Sequence, residues 1–229
     1  MEQISAAGER AELTSTWLSW ADADYISARH LLLTDLLVQG ANLSNTAIEK
    51  YLKTVLVLAG SPFRKVHDVC TLYQQLRRTG INPRVNQEYL GVLVKAYELR
   101  YPDLDPGYNI YLNRTKLLVA LDETVYEMRK GFKLARRGGE ATTRVDLCLK
   151  EGSKLLLEKN CFFGGHDRQQ LFAEESTCYE LRVVGTNRVQ EATCRVPSIP
   201  DDGIFNITTF GPGTDGKTFR LVHRPSSNT

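Results

Sequence analysis

The segment that decides the fold is SNTAIEKYLKTVLVLAGSPFRKVHD, which runs from Ser44 to Asp68. Its apolar residues recur at the spacing of an α-helix, and they are Ala47, Ile48, Tyr51, Leu52, Val55 and Leu56. Gly60 and Pro62 are typical of a helix end. His67-Asp68 is typical of a helix start, where a carboxylate complements the positive helix end and can cap exposed amides. The segment therefore predicts two consecutive helices joined by a short turn.

Further helical patterns surround this segment. An amphipathic run between Trp17 and Leu37 precedes it, and the helix that begins near His67 is expected to close at Gly80. Asn82-Pro83 predicts the start of another helix that runs to about Leu99. A last helix is expected from about Tyr108 to Lys133, with Asp122 on its apolar side either as a satisfied buried group or as an interruption of the stripe. Short turns between such helices favour an up-and-down bundle of four or five helices.

The pattern changes beyond the Arg-Arg-Gly-Gly sequence at 136–139. Apolar and polar residues then alternate in four stretches, which predicts short antiparallel strands; the stretches are Arg144–Leu149, Tyr179–Val183, Phe205–Thr208 and Lys217–Val222. One helical turn is expected at Arg168–Glu174. The predicted fold class is α+β, with a helical bundle over residues 14–136 and a small β-rich C-terminal module over residues 140–224.

Composition limits the classes of function. The formal net charge of +2 gives no general attraction to nucleic acid, and no apolar run is long enough to span a bilayer. The polar N-terminus has no features of a signal peptide, so we expect a cytoplasmic protein. The five cysteines are expected to be free thiols, with a zinc site in the C-terminal region as the alternative; they are Cys70, Cys148, Cys161, Cys178 and Cys194. We expect no cofactor and no metal.

The charged residues of the deciding segment allow two interpretations. Glu49 and Lys53 are four residues apart and can pair along a solvated helix face. Alternatively, a group of basic and aromatic residues binds a phosphate-bearing ligand, with Lys as a point charge and Arg as a bidentate fork. The residues of this predicted ligand site are Lys50, Lys53, Arg64, His67, Arg100 and Tyr101. If these basic residues bind no phosphate, we expect them to form ion pairs with the carboxylates of Glu49, Asp22, Asp24 and Asp68 instead.

The order of these motifs resembles that of the HEPN domain family. Trp20–Arg29 resembles the family's first helix, Thr46–Lys53 its second helix, and His67-Asp68 the start of its third. Arg100-Tyr101-Pro102 resembles the turn before its last helix. The resemblance covers roughly Thr14 to Arg136 and implies an up-and-down bundle that usually forms a homodimer.

The resemblance implies two possible activities. Some HEPN domains are metal-independent RNases that use an Arg and a His separated by four to six residues, with His as general base and Arg stabilising the phosphate oxyanions. That pair is absent here, because His30 follows Arg29 directly and only two residues separate Arg64 from His67. We therefore predict no typical catalytic residues and name Arg64 and His67 as candidates for an atypical site.

Three functions remain open from the sequence. The first is a non-catalytic HEPN-like protein that dimerises and binds a nucleotide, an RNA or a partner protein, with a nucleotidyltransferase as a possible partner in a defence or toxin–antitoxin system. The second is a metal-independent RNase or toxin built around Arg64 and His67. The third is a structural or regulatory subunit of a larger assembly. The missing Arg-His pair favours binding over catalysis.

Overall fold

The computed structural model describes residues 9–61, 66–100, 108–130, 135–136, 139–140, 142–185, 188–205 and 207–209. These residues form eight helices and six strands. The helices are α1 (Glu9–Leu33), α2 (Leu37–Leu58), α3 (Val69–Arg78), α4 (Gln87–Glu98), α5 (Arg114–Arg129), α6 (Arg144–Lys150), α7 (Lys154–Leu157) and α8 (Arg168–Ala173). The strands are β1 (Tyr108–Asn113), β2 (Ala135–Arg136), β3 (Gly139–Glu140), β4 (Ser176–Gly185), β5 (Arg188–Val196) and β6 (Ile207–Thr209). The α+β class and the helical bundle predicted from the sequence are confirmed.

Helix α2 is the central element of the bundle. It packs against α1, α3, α4 and α5, and therefore most of its residues between Ala47 and Leu58 are buried. Helix α1 runs beside it and buries one face at alternating spacings of three and four residues, through Leu18, Ala21, Tyr25, Ala28 and Leu32. A short turn with Asp35 in the left-handed region (φ 64°) reverses the chain between these two helices. The deciding segment of the sequence thus forms the middle of the core.

Side-chain caps define the starts of the next two helices. Asp68 accepts hydrogen bonds from the backbone amides of Cys70 and Thr71, so α3 begins where the sequence predicts it. The predicted start of α4 at Asn82-Pro83 is wrong by about one turn. The side chain of Asn86 accepts the amide hydrogens of Glu88 and Tyr89 instead, and the helix begins at Gln87.

The predicted helix from Tyr108 to Lys133 is only partly confirmed. Its first part is strand β1, in which Tyr108, Ile110 and Leu112 are all buried. Asn113 ends the strand and caps α5 by accepting the amide hydrogen of Lys116. The strand forms because β4 and β6 pair with it, one on each side. The helix was predicted from local spacing alone, which carries no information about strands so far along the chain.

Strand β1 lies inside a four-stranded antiparallel sheet with the order β5-β4-β1-β6. Within it Ile110 is opposite Leu181 of β4 and Ile207 of β6. Ile110, Leu112 and Leu181 belong to the same apolar core as the helices. One face of the sheet therefore closes the bundle.

The C-terminal region is more helical than the sequence predicts. Residues Arg144–Leu149, predicted as a strand, lie in α6, because Thr143 and Asp146 form a reciprocal capping box at its start. The helical turn predicted at Arg168–Glu174 is confirmed as α8, and the strand predicted at Tyr179–Val183 lies in β4. The predicted strand at Lys217–Val222 lies outside the described residues. The division into residues 14–136 and 140–224 stays a prediction; the four-stranded sheet draws strands from both regions.

A buried ion pair joins α1 to α5 and to the chain around α7. Arg29 and Asp122 have fully buried side chains and bind each other directly. The Nε and Nη2 atoms of Arg29 donate to the backbone carbonyls of Leu155, at 2.9 Å, and Glu158 respectively. Asp122 also accepts a hydrogen bond of 2.7 Å from the Tyr25 hydroxyl. Of the two sequence interpretations of Asp122, the satisfied buried group is the observed one.

The surroundings shift the pKa of each group in this cluster, and burial raises that of Asp122 although Arg29 and Tyr25 act to lower it. Burial acts to lower the pKa of Arg29, but the Asp122 carboxylate and Tyr25 together raise it, so the guanidinium stays charged. Burial, followed by the nearby Asp122 charge, raises the pKa of Tyr25 well above its ordinary value. The Tyr25 hydroxyl therefore keeps its proton and remains a donor to Asp122.

A second buried carboxylate, Asp22, lies about two turns earlier in α1. It accepts hydrogen bonds from the Tyr51 hydroxyl at 2.5 Å, from Arg129 at 2.6 Å and from the Val145 amide at 2.9 Å. Arg129 also binds the capping-box residue Asp146 at 2.9 Å. Because Asp22 satisfies groups from α2, α5 and α6, it is a structural residue.

The Arg29–Asp122 pair should be strongly coupled in stability. We expect Asp122→Leu to lower the free energy of unfolding by about 3–5 kcal/mol, because Arg29 is left as a buried charge without its counterion. The double variant Arg29→Met/Asp122→Leu should cost clearly less than the sum of the two single variants. Urea denaturation of the four proteins measures this coupling.

The control is Glu127→Gln, which removes the partner of the half-exposed Lys130 and should change the free energy of unfolding by less than about 0.5 kcal/mol. The coupling would be contradicted if the double variant lost as much free energy of unfolding as the two single variants lose in sum.

Candidate functional site

The structure brings Lys53 and His67 together on one carboxylate. Glu49 and Lys53 face each other one turn apart on α2, with Nζ 2.6 Å from Oε1. The Nδ1 atom of His67, just before α3, lies 3.1 Å from the same Oε1 and 3.2 Å from Oε2. The pairing of Glu49 with Lys53 is as predicted, but the expected solvated face is wrong, because their side chains are only 8% and 6% exposed.

His67 is held on one side and open on the other. Its side chain is 70% exposed, while the Glu49 carboxylate that it contacts is buried. A carboxylate at Nδ1 fixes the ring orientation and leaves Nε2 for another partner, an arrangement that suits proton transfer as well as binding.

Lys50 pairs with α1 rather than with the Glu49 cluster. Its Nζ lies 2.5 Å from Oδ2 of Asp24, and both side chains are 21% exposed. The predicted ion pairing of the lysines is therefore observed twice, between Lys50 and Asp24 and between Lys53 and Glu49. Asp22 and Asp68, the other carboxylates in that interpretation, serve instead as the structural residue on α1 and the cap of α3.

Two tryptophans of α1 lie against the lysines. The rings of Trp17 and Trp20 make an edge contact with centroids 6.3 Å apart. The Lys50 ammonium is 5.7 Å from the Trp20 centroid and the Lys53 ammonium is 5.4 Å from the Trp17 centroid, within the range of cation–π attraction. Trp20 is 56% exposed, whereas the next residue, Ala21, is fully buried.

The tryptophans continue an apolar stripe on the outside of α1. Leu13, Trp17 and Trp20 are spaced by four and three residues, and Leu13 is 46% exposed. We call these three residues the tryptophan face. Helical spacing predicts that Trp17 and Trp20 share one face of α1 with Ala21 and Tyr25, but Trp20 is exposed where those two residues are buried. The available signal was that Leu18, Ala21 and Tyr25 form a complete inward stripe without it.

The remaining predicted site residues divide into two groups. Arg100, after the end of α4, stacks on the ring of Tyr97 at 3.2 Å and donates from Nε to the Tyr97 carbonyl. Arg64 and Tyr101 lie outside the described residues. The role of these residues in ligand binding stays a prediction, as does that of Lys50, Lys53 and His67.

The site carries balanced charge. Two ammonium groups, of Lys50 and Lys53, face two carboxylates, of Asp24 and Glu49. A phosphate group would have to displace or outweigh those carboxylates, whereas a protein surface with both signs of charge would not. Within the described residues, no cluster of three or more His, Cys, Asp and Glu side chains is arranged to hold a metal ion.

The described helices include none that combines the length and the apolar character needed to cross a membrane.

The bundle of α1 to α5, with charged and aromatic residues where α1 and α2 meet, defines a helical domain of the HEPN type. The HEPN domain family matches residues 14–137, more than half of the chain. The protein therefore belongs to the HEPN domain family, and the resemblance over Thr14 to Arg136 is confirmed. Searches of curated proteins and of solved structures each found no match.

The buried ion pair of Glu49 with Lys53 should contribute far more to the free energy of unfolding than an exposed Lys–Glu pair at the same spacing. We expect Glu49→Gln to lower the free energy of unfolding by about 2–4 kcal/mol, because the buried Lys53 ammonium loses its charge partner. The matched control is Glu158→Gln, at the same four-residue spacing from Lys154, whose side chain is 86% exposed. It should change stability by less than about 0.5 kcal/mol in the same urea titration. Equal effects would contradict the assignment of Glu49 as a buried anchor.

Proposed function

We propose that this protein is a non-catalytic HEPN domain that works by binding, and that its first partner is a second copy of itself. The observation that carries the proposal is the tryptophan face, where the large apolar side chains of Trp20 and Leu13 are 56% and 46% exposed on the outer side of α1. Large exposed apolar groups at regular helical spacing are typical of contact surfaces, and tryptophan is enriched among the residues that dominate binding energy.

The charges beside the tryptophan face support a symmetric partner. Lys50 and Asp24 stand side by side, each about one-fifth exposed, so the surface offers both signs of charge within one ion pair. In a two-fold dimer the same patch meets itself, and a patch with paired opposite charges is complementary to its own copy. A surface of one sign would repel itself.

The same surface has features that suit a second class of ligand. Trp20 offers a ring on which a nucleobase can stack, so a nucleotide or an RNA is the second ligand class for this surface. Its phosphate would have to compete with Asp24 and Glu49 for the ammonium groups of Lys50 and Lys53. A nucleotidyltransferase partner and a toxin–antitoxin or defence role complete the proposal and rest on the family membership alone. The cytoplasmic location stays a prediction from the sequence.

Truncation of the exposed tryptophan tests the proposal. We expect the full chain to be a dimer in sedimentation equilibrium, and Trp20→Ala to raise its dissociation constant about 30-fold or more, the equivalent of about 2 kcal/mol. The matched control is Leu147→Ala, which removes an exposed apolar side chain, 46% accessible, from α6. It should leave the dissociation constant unchanged.

Two outcomes would contradict this assignment. One is a monomeric wild-type protein at every concentration tested, and the other is a Trp20→Ala dimer as tight as the wild type. Adding a nucleotide mixture and a single-stranded RNA to the same cell distinguishes the second ligand class, because binding to a monomer would show that the surface serves that ligand instead.

A second candidate function is RNA cleavage at an atypical site, and the His67–Glu49 contact favours it. The carboxylate fixes Nδ1, and the exposed imidazole can present Nε2 to a 2′-hydroxyl as a general base. Lys53, on the same carboxylate, supplies a cation nearby.

Activity of this kind should depend on one histidine. If the protein cleaves RNA, His67→Ala should lower the rate at least about 100-fold, the usual contribution of a general base. The control His30→Ala removes an exposed histidine of α1 and should leave the rate unchanged. Wild-type protein that leaves a single-stranded RNA intact, measured by gel electrophoresis, would rule out this candidate and leave the binding function in place.

A further inference from the structure

Two of the five cysteines face each other across a pair of strands. In the antiparallel ladder of β4 and β5, Cys178 is directly opposite Cys194. Side chains at directly opposite positions project to the same face of a sheet, with Cβ atoms about 4.5–5.5 Å apart. The Cα separation of such pairs, about 4.5 or 5.5 Å, falls within the range of disulfide-bonded cysteines. Both cysteines are free thiols in the structure.

The two thiols differ in their access to solvent. Cys194 is exposed, whereas Cys178 is only 1% exposed. The Sγ atom of Cys178 is enclosed from the side of β1, where it accepts hydrogen bonds from the Tyr111 hydroxyl at 2.6 Å and from the Asn113 amide at 3.1 Å. An oxidant in solution can therefore reach Cys194 first, and Cys178 only through it.

The remaining cysteines have no such arrangement. Cys70 lies in α3, Cys148 in α6 and Cys161 in the segment between α7 and α8, so none occupies a register position opposite another. They serve as internal controls within the same chain.

We propose that Cys178 and Cys194 form a reversible disulfide, and that this pair is a redox-sensitive modification site whose co-reactant is a low-molecular-weight disulfide of the glutathione type. The thiolate of Cys194 attacks one sulfur of the small disulfide, which forms a mixed disulfide and releases one small thiolate. Cys178, as thiolate, then attacks the Cys194 sulfur. The Cys178–Cys194 bond forms, the second small thiolate leaves, and the two protons given up by the cysteines are taken up by the two released thiolates.

The local chemistry makes the site slow to oxidise and easy to reset. Partial desolvation beside β4, followed by the neighbouring Cys178, raises the pKa of the Cys194 thiol, which lowers the fraction of reactive thiolate. A cross-strand pair at an exposed edge of a sheet is also accessible to reducing thiols. The site therefore responds to a sustained change in the thiol–disulfide balance, and its bond links β4 to β5 beside Asn113, the residue that caps α5.

The test uses the full chain in glutathione buffers of increasing oxidised fraction, followed by acid quenching, alkylation and non-reducing peptide mapping. We expect a Cys178–Cys194 disulfide that dithiothreitol reverses. In Cys178→Ala, glutathione should remain attached to Cys194, because the second thiol that would release it is missing. In Cys194→Ser, Cys178 should stay unmodified because it is buried.

Stability provides a second measurement. The oxidised wild-type protein should melt about 5 °C or more above the reduced protein, since the bond closes a loop of the unfolded chain. The control Cys161→Ser should form the same Cys178–Cys194 disulfide and show the same rise in melting temperature as the wild type. The proposal is overturned if wild-type Cys194 accumulates the glutathione adduct as Cys178→Ala does, or if the mapped disulfide joins other cysteines. Wild-type and Cys194→Ser data decide the question even if Cys178→Ala fails to fold.

Discussion

The structure depends on a charge that has no access to water. Arg29 is fully buried, and all of its described partners come from elsewhere in the chain: the Asp122 carboxylate of α5 and two backbone carbonyls around α7. An unpaired guanidinium in such a place would cost several kcal/mol, so α1, α5 and the residues after α6 are compatible with only one relative arrangement. The apolar core supplies the driving force, and this pair specifies how the helices fit together.

The same constraint determines what the outer side of α1 can do. Tyr25 and Arg29 bind inward to Asp122, and Asp22 binds inward to Tyr51 and Arg129. With that side of the helix fixed, Trp17 and Trp20 are left on the side where Lys50 and Lys53 of α2 emerge. The combination of aromatic rings, paired charges and an oriented histidine is thus a consequence of how α1 is anchored.

Much of the bundle could be predicted because its signals are local. The helical spacing around α2 and the cap at Asp68 depend on residues within one or two turns of each other. Strand β1 could not be predicted in the same way, because its partners are in β4 and β6, far along the chain. Helix α6 was missed because a short alternating stretch has almost no periodicity to measure, and only the capping box of Thr143 and Asp146 distinguishes it.

For the candidate site, the contacts within one helix could be predicted from the sequence, whereas the contacts between helices could not. The pairing of Glu49 with Lys53 follows from helical spacing, but the third member, His67, and the burial of the pair depend on how α3 and α1 pack. Similarly, Leu18, Ala21 and Tyr25 form an inward stripe of α1 without Trp20, but the contacts of the tryptophans with Lys50 and Lys53 are decided only when α1 meets α2.

The position of β1 has a consequence for synthesis on the ribosome. Both neighbours of this strand lie near the end of the described chain, so the helices α1 to α5 emerge with a central strand whose backbone groups are unpaired on both edges. Contacts between such distant segments form slowly. The nascent protein must therefore pass through an interval in which Arg29 has its carboxylate but lacks the carbonyls of Leu155 and Glu158, and in which an open strand edge is exposed to other chains. A bundle that appears complete by its helices is, in this family member, finished only by residues that are translated well after them.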